Sequence, residues 1–161
     1  MGTRSGDIDP SIIPYVMEKE CKNIGEILND LNKSSGLLGM SEFSSDMRDI
    51  VDKCDEGDEK ALTARSKYVR RIVDYIAQYY VLLGGADMIV FTAGVGENSI
   101  PVRREVCEKL ACLGVKIDLD KNNITREKVK LSTDDSKIEV WVIPTDEELI
   151  LPLHRWPTST R

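Results

Sequence analysis

Apolar positions recur at helical spacing through the first half of the chain, and compact strand-like runs come only later. A polar, glycine-bearing opening, Met1-Gly-Thr-Arg-Ser-Gly-Asp7, reads as a loop. Asp9-Pro10 then supplies a cap and a first-turn residue, which predicts a helix to about Glu20, with Pro14 kinking it or delaying its start. Ile24, Ile27, Leu28 and Leu31 share one face and predict a second helix over about Asn23–Asn32, broken by Ser34-Ser-Gly36 and Gly39. Ser44-Ser45-Asp46 opens a short helix to about Asp55, with Gly57 as its stop. The longest helix is predicted over about Glu59–Leu83. Tyr68, Ile72, Ile76, Tyr79, Tyr80 and Leu83 give it a broad apolar face, so it is expected to be central to the packing.

The period changes at Met88. Met88-Ile-Val-Phe91 predicts a short, fully buried strand. Gly94 and Gly96 follow in a turn, where the lack of a Cβ permits positive φ and close approach of a ligand to the main chain. Asn98 or Ser99 caps a helix with Pro101 in its first turn, and Val102, Val106, Leu110 and Leu113 form its buried stripe. Arg103, Arg104, Glu105 and Glu108 fall outside that stripe. Gly114–Ile117 predicts a short strand, Asp118–Arg126 a charged connection, Ser132–Ser136 a turn and Ile138–Ile143 a strand closed by Pro144. Thr145-Asp-Glu-Glu148 has the form of a capping box. Four helices, a β-α-β unit and one further strand define an α/β chain. Three short strands are a small sheet for so many helices, which points to a portion of a larger fold.

Composition narrows the function classes. A length of 161 residues suits one ordinary domain. A net charge of −6 argues against a nucleic-acid footprint. No apolar run approaches the roughly 20 residues a membrane span needs, and no signal peptide is evident. Cys21, Cys54, Cys107 and Cys112 form no C-x-x-C and no Cys/His cluster, so reduced thiols are expected rather than zinc ligands.

Several groups could carry chemistry. Gly94-Val-Gly-Glu-Asn98 after a strand fits a nucleotide cradle and an unliganded βα turn equally. Asp118, about twenty residues on, raises a dinucleotide-binding alternative, although Ser99 stands where the third glycine belongs. Acids just beyond the last strand, at Asp146–Glu148, could hold Mg²⁺ or could simply complement a helix dipole. Arg4 could grip a phosphoryl group as a planar fork, or lie on the surface unused. His154 is the sole histidine and has no Ser/Asp arrangement around it.

Five segments together resemble the C-terminal part of the acetate kinases, the acetokinase family. They are Met1–Pro10, Ser35-Gly-Leu-Leu-Gly39, Ser44–Asp49, Val90-Phe-Thr-Ala-Gly-Val-Gly-Glu-Asn-Ser99 and Val142-Ile-Pro-Thr-Asp-Glu-Glu-Leu149. The resemblance implies an actin-like ATPase (ribonuclease H-like) fold, with residues 1–150 as its C-terminal nucleotide-binding portion and 151–161 as a divergent tail. It implies cytoplasmic, Mg²⁺-dependent homodimers that transfer the ATP γ-phosphoryl group to acetate, giving acetyl phosphate and ADP. By position, Arg4 would stabilise the transferring phosphoryl group and Asp46, Met47 and Arg48 would contact the nucleotide. Gly94, Val95, Gly96, Glu97 and Asn98 would form the adenosine and phosphate-side loop, and Glu147 would be the Mg²⁺-associated carboxylate. The family is longer, with its acceptor pocket before the position of Met1, so this chain alone is expected to be inactive. A propionate or butyrate kinase relative and a non-catalytic nucleotide-binding or oligomerisation module are the other readings.

Overall fold

The computed structural model describes residues 1–145, and they form two compact units, one over Met1–Gly85 and one beginning at Ala86. The first is helical. Helices α1 (Ile12–Glu20), α2 (Ile24–Lys33), α3 (Gly36–Ser41), α4 (Met47–Asp55) and α5 (Glu59–Leu82) follow one another. Side-chain caps set the starts of three of them. Asn23 and Glu26 make a reciprocal capping box on α2, while the Asp46 and Asp58 carboxylates cap α4 and α5. Pro14 falls in the first turn of α1 and delays its start.

One element was not expected. Gly36 and Gly39, read as helix breakers, instead lie in α3. Its first N–H groups are satisfied by the N-terminal segment, since Leu37 and Leu38 donate to the carbonyls of Met1 and Gly2 at 3.1 and 2.9 Å. That segment passes so close that a Cβ on Gly36 would sit 2.5 Å from the Met1 oxygen, and Gly36 holds φ at 61°.

Helix α5 packs against α3 and α4, but not along the face that periodicity selects. Ala61, Ala64 and Val69 are its buried residues, whereas Val81, Leu82 and Leu83 are each at least three-quarters exposed. Its fully buried residues all lie in its first half, and Ile72, Ile76 and Tyr80 beyond them are half-buried. The core of this unit is completed by Ile27, Leu37, Met47, Ile50 and Cys54.

The second unit is a three-stranded mixed sheet with helices, as the small mixed sheet of the α/β reading requires. Strand β1 (Met88–Phe91) pairs in parallel with β3 (Glu139–Val142), and β2 (Val129–Lys130) pairs antiparallel on the other side of β3. Between β1 and β2 run α6 (Ala93–Asn98), α7 (Ile100–Lys109), a single 3-10 turn (Ala111–Leu113) and α8 (Leu119–Asn122). Central β3 buries Val140 and Val142 completely, while edge strand β1 leaves Met88 and Val90 nearly half exposed rather than fully buried. The strand predicted at Gly114–Ile117 reduces to one bridge, Ile117 to Ser132. Val102 and Val106 of α7 and Leu110 at its C-cap enter the core as predicted, and Arg103 enters with them.

None of the four cysteines is in a disulfide. Cys54 and Cys107 are buried, and burial pushes the Cys107 thiol up to about 12 by disfavouring its thiolate. In the folded chain at pH 8, a thiol reagent is therefore expected to label Cys21 and Cys112 quickly, and Cys54 and Cys107 only after denaturation. Ile50→Ala, which opens a cavity at a fully buried position, is expected to cost about 2–5 kcal/mol in urea unfolding of the first unit.

Candidate functional site

At the C-terminal end of β1 the chain turns into α6 through an unusual residue. Ala93 takes a left-handed conformation, φ 58°, which costs a non-glycine residue on the order of 1 kcal/mol or more. Neither Gly94 nor Gly96 has positive φ, so the glycines sit within a short helix instead of forming the turn. A polar latch fixes this geometry. The Ala93 N–H donates to Thr145 Oγ1 at 3.1 Å, and Thr92 Oγ1 lies 2.8 Å from the same oxygen. The Glu97 carboxylate accepts from the Thr145 N–H at 2.9 Å and from its hydroxyl at 3.2 Å. The latch thus joins the C-terminal ends of the two parallel strands, the edge of an open α/β sheet where ligands gather.

The glycines have different tasks. Around a Cβ on Gly94 there is nothing within 4 Å, so a flat ligand has access to the main chain there. A Cβ on Gly96 would meet the Phe91 backbone at 3.3 Å, so that glycine serves packing of α6 on β1. Val95 is half-buried, and Asn98 is exposed, donating to the Gly94 carbonyl at 2.8 Å while its Oδ1 accepts from Arg126 Nε at 3.3 Å.

Beneath α6 lies a group the sequence reading placed on the surface. Arg103 has no exposed area, and its guanidinium meets five oxygens. Nε donates to Asn122 Oδ1 at 2.9 Å. Nη1 donates to the Gly96 and Glu97 carbonyls at 3.1 and 2.6 Å. Nη2 donates to the Asn122 and Ile124 carbonyls at 2.5 and 3.2 Å. Burial pulls its pKa down, against a smaller opposing influence from Cys107. The available signal was its place beside Val102 and one turn before Cys107, on the shoulder of a stripe wider than one residue.

The first unit holds the other predicted residues. Arg4 is exposed and forms no ion pair or hydrogen bond among the described residues. It borders a cavity of about 730 Å³ that Lys67, Tyr68, Arg71 and Tyr75 of α5 also line. Asp7 anchors this wall, accepting from Arg71 and from the Tyr75 hydroxyl. At the start of α4, Asp46 accepts from the Arg48 N–H at 2.8 Å and holds the Arg48 guanidinium through Nε and Nη2. The Arg48 side chain is 87% exposed, so its planar face is open to stacking. Met47 turns its side chain into the core and offers a ligand only its main chain.

One reading changes. Asp118, the acid of the dinucleotide alternative, caps α8 by accepting from the Asp120 and Lys121 N–H groups at 3.0 and 3.1 Å. The strand that should present it is absent, and the parallel neighbour of β1 is β3, so the NAD-type reading falls. Glu147 and the capping box after Thr145 lie outside the described residues, as does His154. Among the described residues no three His, Cys, Asp or Glu side chains are grouped to hold a metal.

Comparison with solved structures places this fold. An acetate kinase from Porphyromonas gingivalis superposes with a TM-score of 0.89 at 40% identity, covering 95% of this chain and 39% of that one. A propionate kinase from Francisella tularensis superposes at 0.86 with 38% identity, covering 94% and 38%. The mixed sheet and its helices are thus those of a carboxylate-kinase α/β fold. The acetokinase family model matches residues 1–152, and the chain belongs to that family. Acetate kinase of Aster yellows witches'-broom phytoplasma (strain AYWB) is 49% identical over 151 residues, 94% of this chain. The chain spans 37% of that relative's length.

The Arg48 side chain, and then the Arg48 N–H, lower the Asp46 carboxyl from 3.8 to about 2. A depressed carboxyl stabilises above its unfolded pKa and loses that contribution as pH falls through its folded one. The α4 cap is therefore expected to persist at pH 4 and to fail toward pH 2. An NMR titration placing the Asp46 midpoint near its unfolded value would contradict this.

Proposed function

We propose that residues 1–150 are the nucleotide-binding portion of an acetate kinase, an ATP:acetate phosphotransferase, with residues 151–161 a divergent tail. The observation that carries this is α6, a glycine-bearing helix with an open backbone at Gly94, latched at the C-terminal edge of the sheet in a chain of the acetokinase family. In this reading Gly94, Val95, Gly96, Glu97 and Asn98 form the adenosine and phosphate-side surface. Asp46, the Met47 main chain and the open face of Arg48 contact the nucleotide. Arg4, an exposed guanidinium with no carboxylate partner among the described residues, meets the transferring phosphoryl group.

Phosphoryl transfer is catalysed mainly by positioning and by neutralising charge spread over the phosphoryl oxygens. A guanidinium already bound to a carboxylate is poorly suited to that task, which distinguishes Arg4 from Arg48 and Arg71. Mg²⁺ would supply further charge neutralisation, with Glu147 as its associated carboxylate. The acceptor is read as acetate; the similarity to a propionate kinase makes a longer carboxylate the second reading. A cytoplasmic homodimer is the assembly proposed for the whole enzyme, and the exposed apolar end of α5 favours an oligomerisation role for this segment.

Titration of the 161-residue chain with ADP or ATP is expected to shift the amide NMR signals of Gly94 to Asn98 at millimolar nucleotide. Signals unmoved at that concentration would refute the nucleotide assignment. With ATP, Mg²⁺ and acetate the same chain is expected to form no acetyl phosphate, because the resemblance puts the acceptor pocket outside it. A hydroxamate assay showing turnover would overturn that expectation.

A further inference from the structure

We propose that Arg103 is a positioning residue for the ligand-facing helix α6, acting from beneath it through the main chain and touching no ligand itself. The proposal rests on the nucleotide reading of α6. Taking a guanidinium out of water is costly unless its charge and all its donors are satisfied. A core built only for stability would favour an apolar side chain at this position. Arginine has five N–H donors, and here each has an oxygen acceptor, none of them a carboxylate.

The placement of those acceptors shows what the group does. Two are the Gly96 and Glu97 carbonyls in the second half of α6. The other three belong to Asn122 and Ile124, where α8 ends. Asn122 Nδ2 in turn donates to the Ile100 carbonyl at the start of α7, at 3.1 Å. One side chain therefore closes a loop of contacts through α6, α7 and the end of α8.

Helix α6 needs such help. Its six residues include two glycines, and so short a helix leaves most of its carbonyls without intrahelical partners. It also starts from the strained Ala93. The Thr145–Glu97 latch holds its outer side and Arg103 its inner side. Lysine, a single ammonium with three donors, cannot span the Gly96/Glu97 and Asn122/Ile124 acceptors together.

The test uses the full chain with Arg103→Lys and Arg103→Met, far-UV circular dichroism to confirm folding, amide hydrogen exchange and ADP affinity. Exchange at Gly96 to Ser99 is expected to accelerate at least about tenfold in each variant, while Val140 and Val142 in β3 change by less than about threefold, and ADP is expected to bind about tenfold more weakly or worse. Acceleration of β3 in step with α6 would show a fold anchor only, and a loosened α6 with unchanged ADP affinity would remove its role toward the ligand. Should Arg103→Met fail to fold, Arg103→Lys carries the comparison. If the parent chain binds no ADP, the nucleotide reading fails by itself, and the exchange pattern still decides whether Arg103 positions α6.

Discussion

A charge buried without a countercharge is the constraint that organises the second unit. Arg103 is fully buried, as are Val102, Val106 and Leu110 around it in the sequence, and no carboxylate is among its hydrogen-bond acceptors. Backbone carbonyls must converge on it instead. Carbonyls converge in this way where helices end, because the last turn of a helix leaves its oxygens free and carries the negative end of the dipole. The short helices α6 and α8 thus satisfy the arginine, and the arginine satisfies them. Neither arrangement is stable alone, since α6 and α8 are too short to persist on propensity.

The contrast between the cations is instructive. Arg48 and Arg71 are held by Asp46 and Asp7, Arg103 by carbonyls, and Arg4 by nothing among the described residues. Four guanidiniums of identical chemistry therefore fall into three states of availability. Only an arginine whose field is not already compensated can respond fully to a phosphoryl group, and Arg71 and Tyr75 on the cavity wall keep Asp7, the one carboxylate among the described lining residues, occupied.

Local signals made the helical half of the chain legible. Asn23 with Glu26, Asp46 and Asp58 fix helix starts through bonds that span three residues or fewer, so sequence spacing carries them in full. Strand β3 was equally plain, its Val140 and Val142 alternating with half-buried Glu139 and Trp141. What stayed hidden depends on partners distant in sequence. Gly94 and Gly96 have the composition of a turn, and they are helical because Thr145 and Arg103 hold the segment from both sides. Arg103 looks like a surface residue until Asn122 and Ile124 arrive to receive it. The periodicity of α5 identified a face able to be buried, but period says nothing of what covers it, and Val81 to Leu83 remain open. In the candidate site, the resemblance named Gly94 to Asn98 and Arg4, whereas the helical form of that segment and the inward turn of Met47 required their packing to be seen.

Gly36 carries a consequence for how variation in this sequence would be interpreted. The main chain of Met1 to Arg4 lies against the place where its side chain would be, with the Arg4 carbonyl 2.8 Å from that point. Any other residue there would force the segment away and move the Arg4 guanidinium with it. In a survey of inherited changes Gly36 would therefore score as a sensitive position, although it has no functional group to offer. The intolerance of such a site records the path of a neighbouring backbone, and a map of sensitive positions would be wider than the map of reacting ones.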